Sequence, residues 1–94
     1  DGEGALASIA RAMEVFARIA AADPKNSEAQ HDLAFAWGER CIALLTLDRR
    51  ADAEAACLEA IAIRERLIEA DPSNQEDRRD LARIGRVLDD VRKR

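Results

Sequence analysis

An all-α fold of four antiparallel helices, paired into helical hairpins as a segment of an α-solenoid, is what this sequence predicts. Three observations carry the prediction. The stretch ADPKNSEAQHDLA at residues 22–34 returns as ADPSNQEDRRDLA at residues 70–82, with eight of thirteen positions identical at a shift of 48. Between and beyond these stretches, apolar side chains recur every three or four residues, the period of a helix buried along one side. The composition is 48% hydrophobic, only 3% aromatic and 36% charged, which suits helices packed closely through Ala, Leu and Ile.

The repeated stretch is a stop, a turn and a restart. Asp23-Pro24 and Asp71-Pro72 each follow a long helix-forming run, and proline disfavours helical geometry in the residue before it. Asn26 and Asn74 then offer side-chain oxygens to the unpaired N–H groups of a new helix. Glu28 and Glu76 place negative charge in its first turn, where the helix dipole favours it.

The first helix is expected over residues 3–22, with Leu6, Ile9, Met13, Phe16, Ile19 and Ala20 at helical spacing. The second, over 27–46, carries two apolar faces. Leu33, Trp37, Cys41 and Leu44 lie on one, and Phe35, Gly38 and Ile42 lie roughly 140° away. So wide an apolar arc belongs to an element with neighbours on more than one side. After the LDRR turn, the third helix is expected over 51–70, burying Ala53, Cys57, Ala60, Ile61, Leu67 and Ile68. The fourth, over 75–92, has the narrower stripe Leu81, Ile84, Leu88 and Val91. Short connections make successive helices antiparallel neighbours within one domain, residues 1–94.

The shift of 48 aligns helix 1 with helix 3 and helix 2 with helix 4, with twelve of 46 aligned positions identical. The repeating unit is therefore a helical hairpin, the signature of a solenoid. Within the complete hairpin, Trp37, Leu44, Ala53 and Ala60 stand at the spacing of the Trp, large and small residues of a tetratricopeptide repeat, which the hairpin resembles. Arg40-Cys41 replace that family's Leu-Gly pair, and Cys57 replaces its later aromatic. The closing proline falls at Pro72 rather than at Glu65, so each helix is about two turns longer than in the common repeat. The stretch AIAIRERLIEADPSN is similar to long-helix tetratricopeptide-like repeats of bacterial multidomain proteins. The resemblance implies a protein-interaction scaffold, with a groove lined by the first helix of each hairpin.

Several chemistries find little footing. A net charge of −4 and a pI near 5.0 disfavour nucleic-acid partners, whose affinity comes from Lys and Arg on phosphates. No apolar run approaches the roughly 20 residues of a membrane span. With no basic-then-apolar leader, a cytoplasmic location is expected. The chain opens on Asp1 rather than Met, so a piece of a longer protein is expected. His31 is the sole histidine and is expected at a solvated surface position. Cys41 and Cys57 are expected as two buried thiols, although a bridge between them is geometrically conceivable. Two cysteines and one distant histidine make a poor metal site, so no metal and no cofactor are expected. Gly2 and Gly4 follow no strand and form no phosphate loop. The stretches RERLIEAD and QEDRRD are expected as solvated helix faces. Catalysis is not expected.

Partner binding is the expected function. Phe35, Gly38 and Ile42 would form the apolar floor of a groove, with Arg83, Arg86 and Asp90 on its other wall. Such a groove suits a peptide carrying a hydrophobic anchor and an acid. As an alternative, Phe16, Ile19, Phe35 and Ile42 would form a self-association surface that makes the isolated chain a homo-oligomer. A helical regulator with a small-molecule pocket is a third possibility. Helix 4 has the polar outer face of a solenoid's end, with Arg83, Arg86, Asp90, Lys93 and Arg94 opposite Leu81, Ile84 and Leu88.

Overall fold

A computed structural model describes residues 1–93, and Arg94 lies outside them. The described residues form four helices: α1 (Gly2–Ala22), α2 (Ser27–Thr46), α3 (Arg50–Ala70) and α4 (Gln75–Lys93), with no strand among them. The two Asp-Pro corners have one backbone geometry. Asp23 has φ −138° and ψ 84°, and Asp71 has φ −141° and ψ 83°. In each, the Asp N–H donates back to the last turn, to Ile19 or Leu67, and its carbonyl accepts from Asn26 or Asn74. The Asn side chains then cap the next helix, accepting from Ala29 N at 3.0 Å and from Asp77 N at 3.1 Å. One sequence therefore yields one junction, twice.

The middle junction is built differently. Asp48 takes a left-handed conformation with φ 59°. Its N–H donates to the Leu45 carbonyl at 2.9 Å, and the Arg49 N–H donates to the Leu44 carbonyl at 2.8 Å. These are the paired bonds of a Schellman end, with Asp where glycine is commonest. Arg49 also pairs with Glu3, tying this junction to the start of α1.

Each helix packs on the next in sequence, and α2 also touches α4. The main core gathers Cys41 and Leu44 of α2, Ala53, Cys57 and Ala60 of α3, and Ile84, Leu88 and Val91 of α4. A second cluster of Ala34, Ile63 and Leu67 sits nearer the Asp-Pro corners, and half-buried Trp37 packs against both clusters. Alanines at the contacts let the backbones approach closely. At Gly38 of α2 an added Cβ would meet Ile84 Cδ1 of α4 at 3.4 Å. By contrast, α1 packs on α2 alone and buries only Leu6 and Ala20.

Three expectations need correction. Cys41 and Cys57 form a disulfide between α2 and α3, with Cα atoms 5.4 Å apart and neither residue exposed. The expectation of thiols rested on a supposed reducing environment, not on distance, and adjacent core positions of packed helices come within bridging range. His31 is not a solvated surface side chain: it packs beside two charged residues beneath the second corner. Those residues, Arg64 and Asp77, are buried, so RERLIEAD and QEDRRD are not wholly solvated faces. No described helix is long and apolar enough to cross a membrane.

Candidate functional site

The face shared by α2 and α4 is built from helical spacing on both elements. Phe35, Gly38 and Ile42 follow one another at i, i+3 and i+7 along α2, and Arg83, Arg86 and Asp90 do the same along α4. Ile84 of α4 reaches over Gly38 of α2, and side chains near this contact come together. Arg83 Cζ lies 5.9 Å from the centre of the Phe35 ring, a cation–π distance. Phe35 nevertheless remains 52% exposed, and Ile42, two turns along, is 36% exposed. Arg86 and Asp90 are exposed farther down α4. Gly38 itself is buried, with the Ile84 side chain against it, and is not part of an open floor.

The residues expected to promote self-association are divided by the fold. Phe16 is half-buried on α1, whereas Ile19 is 41% exposed and its neighbour Val15 49% exposed. Phe35 and Ile42 belong to the α2/α4 face described above.

A charged cluster that sequence reading missed joins α2, α3 and α4. Asp77 Oδ1 lies 3.0 Å from His31 Nδ1 and 3.3 Å from Arg64 Nη1, and Arg64 Nη1 lies 2.8 Å from the same His31 nitrogen. Arg64 Nη2 also reaches Asp80 Oδ2 at 3.4 Å. The imidazole Nδ1 either donates to Asp77 or accepts from Arg64, since one ring nitrogen cannot do both at once. Asp77 and Arg64 are 1% and 5% exposed, so this cluster holds helices together and is not presented to a partner. A signal was available. Arg64 follows Ala60 and precedes Leu67 on the buried stripe of α3, and Asp77 precedes Leu81 and Ile84 on that of α4. Opposite charges on two apolar stripes read as a buried pair only once the fold shows that those stripes face each other.

On the opposite side of α2, an open cleft of about 710 Å³ separates α1 from α3, with Trp37 among its lining residues. No group of three or more His, Cys, Asp or Glu side chains among the described residues is placed to hold a metal ion. Comparison with protein-family models, with curated proteins and with solved structures finds no match for this chain.

Proposed function

We propose that the chain is a non-enzymatic protein-interaction module, built of antiparallel tetratricopeptide-like hairpins, that takes a peptide or partner segment along the α2/α4 face. The observation that carries this reading is Phe35. A large aromatic ring at 52% exposure, with a guanidinium over it, is poised to anchor a partner's apolar side chain beside a carboxylate. The repeated corner geometry supports the hairpin reading. So do the contacts at both ends of the α3–α4 pair. Arg50, which opens α3, donates to the Val91 carbonyl near the end of α4, while Arg64, late in α3, meets Asp77 early in α4.

Selection of peptides from a displayed random library against the chain tests the proposal. Enrichment of sequences pairing an aromatic or aliphatic anchor with Asp or Glu is expected, with binding lost in Phe35→Ala and weakened by salt in wild type. Selected peptides that bind Phe35→Ala and Arg83→Glu as tightly as wild type would overturn it.

Self-association is the second reading, favoured by Val15 and Ile19 exposed on α1. Light scattering over a concentration series checks it. A dimer that disappears in Ile19→Glu, Ile42→Glu supports this reading, and a wild-type chain monomeric at high micromolar concentration removes it.

A further inference from the structure

The cleft between α1 and α3 is a second docking surface, separate from the α2/α4 face, and its construction specifies an occupant. Neither of its walls touches the other, because α1 and α3 each pack on α2 and not on one another. Its floor is apolar: Leu33 and Trp37 rise from α2, and Met13 closes in from α1. Each wall is one helix stripe. On α1 the lining residues are Ala10, Met13, Glu14 and Ala17, at i, i+3, i+4 and i+7. On α3 they are Asp52, Ala55, Ala56 and Glu59, with the same spacing. Two stripes, each spanning seven rises of about 1.5 Å from first to last residue, give a trough about 10 Å long, room for the apolar face of about two helical turns. The alanines on both walls let a third backbone settle close to the floor, as ridges into a groove.

The rim sets the sign of what binds. Glu14 stands on one wall and Asp52 and Glu59 on the other, all exposed, against the single guanidinium of Arg40. An apolar trough between carboxylates matches a helix whose apolar stripe is flanked by Lys or Arg. Trp37 adds a ring face on which a cation can rest. We infer that the α1/α3 cleft docks a basic amphipathic helix of a partner protein, through an apolar floor at Trp37 and the carboxylates of Glu14, Asp52 and Glu59.

The cleft carries its own reporter, since Trp37 is the sole tryptophan and the chain has no tyrosine. Titration with a synthetic helical peptide of about five turns, Leu and Ala on one face and Lys on the other, is expected to shift Trp37 emission to shorter wavelength and to saturate. A matched peptide with Glu in place of Lys is expected to leave the emission unchanged. Glu14→Lys, Glu59→Lys changes only exposed charges, and circular dichroism would check that the variant keeps its helices. It is expected to weaken the cationic peptide by about tenfold or more, as two ion pairs turned to repulsions would. Ile42→Glu, on the other side of α2, is expected to bind the peptide as wild type does. The inference is overturned if the cationic peptide gives no saturable shift, if the anionic peptide gives the same one, or if the charge-reversed variant binds unchanged. Loss of binding in Ile42→Glu would also overturn it, by placing the peptide on the α2/α4 face. Because the readout is Trp37 and the control is Ile42, this surface and the Phe35 face fail independently.

Discussion

At the scale of single residues, the two corners of this chain differ in one informative way. Arg64 and Asp77 align, across the shift of 48, with Phe16 and Ala29. At the positions of this ionic pair, the first corner carries an aromatic side chain and a methyl group. Removing one partner of a buried pair strands the other without water, whereas replacing both with well-packed apolar groups is often neutral or stabilising. Asp77→Ala should therefore cost about 3–5 kcal/mol, while Arg64→Phe, Asp77→Ala, which writes the first corner into the second, should recover most of that loss. Urea denaturation of the three proteins checks both values. A double variant as unstable as the single would mean that the ionic pair is better than its apolar counterpart here. These residues also mark the limit of sequence reading. The stripe Ala60, Leu67 was legible because alternatives to burial are few for apolar side chains, but a charged residue on that stripe reads equally as a solvated edge. His31 was misplaced for a related reason: its partner Asp77 lies 46 positions away, and pairing between helices is not a local property.

At the scale of elements, all four helices were legible, and the observed ends lie within one residue of those expected from sequence. Proline and Asn act locally, so the Asp-Pro corners could be read without knowing what packs on them. The LDRR turn was readable as a break but not as a conformation, because it lacks the glycine that usually marks a left-handed helix end. Asp48 sits there at φ 59°, just past the C-terminal end of α2, where the helix dipole disfavours a negative charge. Glycine enters this region without a Cβ penalty and carries no charge. Asp48→Gly is therefore expected to stabilise the chain by about 0.5–1 kcal/mol, the left-handed penalty of about 1–2 kcal/mol less the entropy glycine adds to the unfolded chain. Thermal unfolding followed at 222 nm would show a higher midpoint. A lower one would reveal that the Asp48 side chain makes a stabilising contact beyond its own turn. The candidate α2/α4 face was legible in the same degree as the helices. Spacing along each helix placed Phe35 with Ile42 and Arg83 with Arg86, but that Gly38 is covered by Ile84 depended on packing.

At the scale of the whole molecule, the disulfide joins α2 to α3 at the centre of the main core. Closing a loop between residues 16 positions apart restricts the unfolded chain, and a loop of this length stabilises by about 3 kcal/mol. Cys41→Ala, Cys57→Ala should lose roughly that amount, measured by denaturation against oxidised wild type. Because neither sulfur is exposed, a reductant should break the bridge only as fast as the protein opens. Reduction as rapid in the native state as in urea would contradict the burial of the pair. A different consequence follows from the way each helix rests on its successor. Most of the contacts that define this molecule lie within one helix or between helices consecutive in the chain, and the cystine closes a short circuit. Folding then calls mainly for encounters between one helix and the next, and the entropy of loop closure grows only slowly with the length closed. A chain wired in this fashion belongs with the rapid folders, completing its search on the microsecond-to-millisecond scale typical of low contact order.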